Sequence, residues 1–365
     1  MSIVWMNVIL LLLSGVQSFM PYLVKRTEVF GIYVPEQYTQ QPLLKKMKRK
    51  YCMQVLALGL LAAAIYTVAA NLLEATEGEA VVWGVGVQLG VIAFSMGLYF
   101  VNHLKVKKEK QQQGWTIGKK EKVIVDLQFR NDLEMISGMA FLLPMVITAG
   151  LLLFTLSVYE QLPEQIPVHW GPDGIADRFS DKTIFSSISM LLLLLIMQGL
   201  FYAMNHARKT SGSKIRATQK IQSRERELAS RKYGSWLLFI TSLSVTLLMG
   251  SLQISIIYPE LASSLWVMAI TSGFLILILG ATVLYTFKVA KSSSGTQMEV
   301  GDVNIIDADS DKYWRAGIFY VNKEDPSIMV EKRFGIGWTI NFGNPVSWLL
   351  VLAPFSIILL ITFLL

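Results

Sequence analysis

Eight apolar runs of about 20 residues shape this chain: approximately 3–20, 52–72, 81–101, 137–157, 183–204, 236–256, 264–287 and 346–365. At 1.5 Å rise per residue, about 20 helical residues cross a hydrocarbon core of roughly 30 Å. Lipid offers no partner to a free N–H or C=O, so such continuous runs must be helical. Eight crossings put segments 22–51, 102–136, 205–235 and 288–345 on one face, with 31 of the 33 lysines and arginines. The other face, built from 73–80, 158–182 and 257–263, holds only Arg178 and Lys182 against nine acidic residues. The positive-inside rule makes the basic face cytoplasmic and puts both termini outside. The formal charge of +7 then divides into about +14 inside and −7 outside. The expected fold is an all-α polytopic membrane protein. It has about eight transmembrane helices, with small β-hairpin-like insertions in an outer loop and in the last cytoplasmic loop.

With 365 residues and 53% hydrophobic side chains, little chain is left for a large soluble domain. The clusters KKMKRK (45–50) and KVKKEK (105–110) lie beside helix ends. There they orient the chain and meet anionic headgroups, at about 1 kcal/mol per basic side chain. The bilayer is therefore the expected partner, with no direct nucleic-acid binding. A single cysteine, Cys52, excludes an intrachain disulfide. The first run has no positive charge before it, no small-residue cleavage pattern, and Lys25 and Arg26 after it, which favours a retained helix over a signal peptide. The last run ends inside hydrophobic sequence, with a kink expected at Pro354. No ionisable residue falls near the middle of a span; the polar residues there are Asn7, Gln88, Gln198 and Gln253. That weakens the case for an ion-coupled pump. Gly84, Gly86 and Gly90 would let another helix approach the third span closely.

The chain divides into a three-helix region with basic loops (1–136), a helix pair carrying the loop 158–182 (137–204), a basic loop and two helices (205–291), an aromatic cytoplasmic module (292–345) and a final span (346–365). In the first basic loop FGIYVP reads as a short strand ended by proline. The spacing of IRATQKIQSRERELASRKYG (215–234) suits a polar helix running up to the sixth span. The module opens with the linker SSSG (292–295). Two candidate strands follow, KYWRAGIFYVN (312–322) and SIMVEKRFG (327–335), joined by KEDP. FGI occurs at both 30–32 and 334–336, too short a match to establish a repeat. Trp314, Phe319, Tyr320, Phe334, Trp338 and Phe342 resemble a base-stacking platform. Aromatics at a helix entry more often pack a small sheet against the membrane.

The outer loop reads YEQLPEQIPVHWGPDGIADRFSDK. QIPVHW alternates like a strand, GPDG supplies a turn through Pro172 and Gly174, and IADRFS returns. His169 and Asp177 then face each other across a hairpin with Asp173 at its tip. A histidine with two carboxylates can hold a cation such as zinc or respond to external pH. It can equally be a capped hairpin whose His and Asp only satisfy loop hydrogen bonds. Other motifs fail. DADSD (307–311) opens like a calcium loop, but Lys312 stands at the sixth position and Ile318 at the twelfth. There is no H-E-x-x-H, no phosphate-binding G-x-x-x-x-G-K-(S/T), no intramembrane aspartate pair and no nucleophile elbow. His103 and His206 lie at cytoplasmic helix ends, where histidines more often anchor the interface than ligate. No catalytic residue and no cofactor are expected, and the chain is not read as an enzyme.

Pro167, His169, Trp170, Gly174, Asp177 and Lys182 resemble the P-x-H-(W/F)-x-x-x-G-x-x-D signature of the Sdp-type immunity membrane proteins. The stretch YWRAGIFYVNKEDPSIMVEKRFGIGWTINFGNP (313–345) is similar to a small C-terminal module that accompanies that domain in many Gram-positive proteins. Its Tyr313, Trp314, Phe319, Arg333, Phe334 and Trp338 carry the likeness. The resemblance implies protection against a secreted toxic peptide, with a repressor held at the membrane as a signal. This chain has more helices and the extra module, so repressor holding does not transfer residue by residue. The expected role is a non-catalytic membrane protein that senses, or protects from, an extracellular antimicrobial peptide or envelope stress. An extracellular peptide outside and a cytoplasmic regulator inside are its implied partners. Two other readings stay open: a transporter or exporter accessory for a neutral or peptide substrate, and an intramembrane enzyme acting on lipid-linked precursors at the outer hairpin.

Overall fold

The longest helices overshoot any bilayer, and the overshoot organises the molecule. The computed structural model describes residues 2–124, 126, 128–171, 176–213, 215–261, 264–292, 305–307, 309–335 and 337–364. Its helices are α1 Ser2–Leu23, α2 Pro42–Leu72, α3 Glu77–Gln112, α4 Leu142–Ser157, α5 Ile184–Thr210, α6 Lys220–Ile257, α7 Ser264–Lys291 and α8 Pro345–Leu364. Its strands are β1 Glu28–Val29, β2 Ile32–Tyr33, β3 Lys120–Ile124, β4 Gln165–Trp170, β5 Ala176–Asp181, β6 Ile215–Arg216, β7 Ile305–Asp307, β8 Trp314–Arg315, β9 Phe319–Tyr320, β10 Met329–Glu331 and β11 Trp338–Ile340. Among the described residues, seven helical stretches are long and apolar enough to cross a membrane, and α8 adds a shorter one, Pro345–Leu360. This is an all-α multi-pass membrane protein with small β-hairpins. At 31, 36 and 38 residues, α2, α3 and α6 extend about 46–57 Å, well beyond a core of roughly 30 Å.

Two helical groups form. α1, α2 and α3 pack on one another; α4, α5 and α6 pack on one another, with α7 against α6 and α8 against α5. The first group crosses closely where Gly84 of α3 meets Met6: a Cβ there would lie 2.7 Å from the methionine methyl. Gly86 and Gly90, expected to serve likewise, face open space. The second group is joined by two of the expected neutral polar residues. Gln198 Nε2 donates to the Pro144 carbonyl (3.1 Å), Thr148 Oγ1 (2.7 Å) and Thr246 Oγ1 (2.8 Å). Gln253 Nε2 donates to Thr155 Oγ1 (3.3 Å) and the Ser187 carbonyl (3.0 Å). Amide bonds of this kind link helices where lipid gives no hydrophobic drive between them.

The overshooting ends carry a layer of small sheets at the basic end. β3 pairs antiparallel with β6 and parallel with β7, tying together three segments distant in sequence. From Lys220 the polar stretch before the sixth span is continuous with it as α6, as its spacing predicted, while Ile215–Arg216, expected in that helix, form β6 instead. Two expectations need correction. FGIYVP is no single strand: β1 and β2 form a hairpin that reverses at Phe30 (φ 48°) and Gly31 (φ 75°). Nor do the two candidate strands of the module pair with each other. The first folds back on itself at Ala316 (φ 52°) and Gly317 (φ 70°), pairing β8 with β9; the second supplies β10, which pairs with β11. Left-handed backbone reverses a chain within two residues, and Ala316 in that region leaves no local pattern to announce it.

Candidate functional site: a hairpin at one end and a buried cap at the other

At the end opposite the basic loops, β4 and β5 form the expected hairpin. Pro167 cannot donate to the ladder, and the register shifts on both sides of His169. His169 Nδ1 and Asp177 Oδ1 lie 2.6 Å apart, with the side chains 65% and 53% exposed. The base is anchored. Ile166 is buried with Leu162, Ile256 and Ile257, and Trp170 packs against this cluster. Lys182 ties down the base of the hairpin. Its Nζ donates to the carbonyls of Glu160 (3.3 Å) and Leu162 (3.0 Å) and lies 5.3 Å from the Tyr159 ring centroid. Residues 172–175, with Asp173 and Gly174, and residues 293–295 of SSSG lie outside the described residues. Among the described residues, no group of three His, Cys, Asp or Glu side chains could hold a metal. Of the three residues of the speculative cation site, the described ones, His169 and Asp177, are paired with each other.

The basic end is built differently. Arg333 is 4% exposed; its Nη1 donates to the Gly31 carbonyl (3.2 Å) and pairs with Asp311, and its Nη2 donates to Ser310 Oγ (2.7 Å). Lys110, from the overshoot of α3, contacts Asp309 (2.5 Å) and Asp311 (2.7 Å). Lys25 pairs with Glu331 at 2.5 Å. Burial alone would raise both carboxyls. Beside Asp311, Arg333 and Lys110 outweigh it, and beside Glu331, Lys25 and Arg226 do, so both sit below the ordinary range.

A second knot lies where α5 ends. Arg231 is fully buried, and its five N–H donors all have partners. Nε and Nη2 donate to Glu227 Oε1 (3.1 and 3.0 Å), Nη1 to the carbonyls of Arg208 (2.8 Å) and Ser211 (3.0 Å), and Nη2 also to that of Gly212 (2.9 Å). It therefore caps the last carbonyls of α5, the end whose dipole favours a cation. Arg208 donates to the Ser230 carbonyl (2.8 Å). Trp338 of the module lies 5.2 Å from the Arg208 guanidinium and 5.1 Å from that of Arg231.

The module's aromatics pack on one another and on α3. Phe334 packs on Tyr99 of α3 with centroids 3.9 Å apart, and Trp314 on Tyr320 at 5.1 Å. Tyr313 packs edge-on to Tyr320, and Phe319, 48% exposed, edge-on to Phe342. The two left-handed turns meet here. A Cβ on Gly317 would fall 2.8 Å from the Gly31 Cα and 2.5 Å from the Tyr99 hydroxyl. Sequence reasoning missed Lys25, Lys110, Arg208, Arg226, Glu227, Arg231, Asp311 and Glu331. The one local signal was the i,i+4 spacing of Glu227 and Arg231, which any solvated helix also shows.

Two family models match the chain. A domain of unknown function (DUF1648) matches residues 140–196, which span α4, the β4–β5 hairpin and the first half of α5. A family of unknown function (DUF5808) matches residues 323–348, from the turn before β10 into α8. The second match begins after Tyr313, Trp314 and Phe319. No curated protein and no solved structure matches the chain.

Proposed function

We propose that this protein is a non-catalytic membrane receptor of the immunity or signalling type. The β4–β5 hairpin recognises an extracellular antimicrobial peptide or envelope stress, and the module at the cytoplasmic basic end reports it. One observation supports this reading above the others: α5 is a single helix from the hairpin's base to the buried cap. It starts at Ile184, three residues after β5, and its Thr183–Ser186 capping box is tied to the hairpin because Ser186 Oγ donates to the Asp181 carbonyl (2.7 Å). It ends at Thr210, with Arg208 against Trp338 and its last carbonyls held by Arg231. A load on the hairpin is therefore delivered to a helix end whose partners are charged, buried and shared with the module. The likeness of Pro167, His169, Trp170 and Asp177 to the Sdp-type immunity signature supports the same role. The positive-inside rule supports the orientation, with both termini outside.

A protection assay tests it. The chain is expressed in a sensitive Gram-positive strain and challenged with secreted antimicrobial peptides and envelope-active compounds, beside His169→Ala and Asp177→Ala. Protection by the wild type that both variants lose is the expected outcome. Equal protection by properly inserted variants would make the hairpin structural only. No protection by a normally inserted wild type would move the weight to a transporter or exporter accessory.

A further inference from the structure

A recess of about 290 Å³ lies between the start of α4 and the end of α5, at the basic end of the second helical group. Three of its walls come from one stripe of α5: Tyr202, His206 and Lys209 follow the i, i+4, i+7 spacing of a single helix face. Asn205, which also lines the recess, is buried and bonded to Ser235, and Arg208 on the neighbouring face is buried in the cap, at 2% and 5% exposure. The stripe itself is exposed, and the Tyr202 and His206 rings stack 6.4 Å apart at 19°. Across from it, Ser137 starts the 3-10 turn Gly138–Phe141, and Met139 and Leu142 form an apolar lip, 76% and 46% exposed. No acidic side chain lines the recess, and Glu134, close by in sequence, is already paired with Lys232.

We infer that this recess binds the headgroup of an acidic phospholipid. Its two chemistries are those of such a lipid in the order the lipid presents them. His206 and Lys209 offer cationic and N–H donors to a phosphate, and the tyrosine ring suits the interfacial zone. The Met139–Leu142 lip continues into the apolar surface of α4, where an acyl chain lies against helix. A soluble anion would use the basic groups and leave the lip in water. The basic cavity deeper in the cap is a poorer candidate: Lys25 and Arg333 there are already paired with Glu331 and Asp311. A lipid in the recess touches α5 on the turn whose inner face carries Arg208, so occupancy and cap packing are adjacent on one helix. The inference rests on the membrane setting and not on the receptor reading.

The test uses the full chain, purified in a neutral detergent, with phosphatidylglycerol or phosphatidylcholine added in mixed micelles. Binding is read by native mass spectrometry and thermal unfolding. The Lys209 charge, with His206 as an N–H donor, predicts a preference for phosphatidylglycerol of about fivefold. His206→Gln with Lys209→Gln should reduce it to about twofold or less. Lys45→Gln with Lys46→Gln, which removes charge elsewhere at the basic end, should leave it. Equal binding of the two lipids overturns the proposal, as does an equal loss in both double variants, which would mark diffuse electrostatics. Inorganic phosphate is the further arm: if it alone gives the whole thermal shift, the occupant is a free anion and the lipid assignment falls. Should the site variant not fold, Lys209→Gln alone and the wild-type lipid preference still decide.

Discussion

The β4–β5 hairpin and the basic-end cap both rest on side-chain pairs, yet water treats them oppositely. The His169–Asp177 pair is more than half exposed, where competing solvent limits such a contact to about 0–1 kcal/mol. Arg231 and Glu227 are 1% and 5% exposed, and Arg333 is as deeply placed. Desolvating such ions costs several kcal/mol each, and only a complete set of partners offsets it. The hairpin can thus change partners at little cost, whereas the cap must keep all its bonds or rearrange as a unit. The exposed pair suits contact with something outside the chain; the buried set suits a two-state element that holds the helical groups together.

The sharpest way to break this contrast is Arg231→Ala. It strands Glu227 without its cation and takes the donor from the carbonyls of Arg208, Ser211 and Gly212 at and just past the end of α5, so it should cost about 3–5 kcal/mol in detergent unfolding. A loss below about 1 kcal/mol would mean the cap is no more cooperative than the hairpin. Gly317→Val comes next. The left-handed backbone and the contacts at 2.5–2.8 Å with Tyr99 and Gly31 predict a loss of about 2–4 kcal/mol, with protease sensitivity of the module.

Acid probes the cap without mutation. Asp311 and Glu331 are held below their ordinary pKa in the fold, so their contribution is present above the unfolded value of roughly 4. It is lost as pH falls through the lower folded values. Fluorescence from Trp314, 5.4 Å from the Arg333 guanidinium, should change cooperatively well below pH 4. Trp338 lies beside Arg231, whose partner Glu227 is pushed above the ordinary carboxyl range by burial, so its signal should move at higher pH. A Trp314 change centred near pH 6 would contradict the assignment. In the apolar layer, Gln198→Leu should cost only about 1 kcal/mol, because Thr148 and Thr246 also donate to carbonyls of their own helices. The smallest stability effect is expected for His169→Ala, below about 1 kcal/mol. If that variant unfolds the protein, the hairpin shares the cap's cooperativity and the contrast fails.

Much of this was legible in local sequence. The spans, the continuity of 220–234 with the sixth span in α6 and the pairing of β4 with β5 each follow from a repeat shorter than one helix or strand. The reversal at Ala316–Gly317 was not legible, because an alanine at φ 52° obeys contacts from Tyr99 and Gly31 and no propensity of its own. Nor was the fate of the basic residues. Counting them by loop explains orientation and treats Lys25, Lys110, Arg231 and Arg333 as alike with Lys45 or Lys108. Only the first four are held in buried pairs.

The amino-acid sequence by itself determined the class, the spans and the division into a basic and an acidic end. Each depends on the match between a continuous apolar length and a bilayer, which neighbouring residues settle among themselves. Tertiary structure alone decided which charges leave water. Arg333 finds the Gly31 carbonyl 302 residues away, and Lys110 finds Asp311 201 residues away. A buried charge is tolerated only when every partner arrives, and that depends on how the overshooting helix ends and the small sheets close around one another.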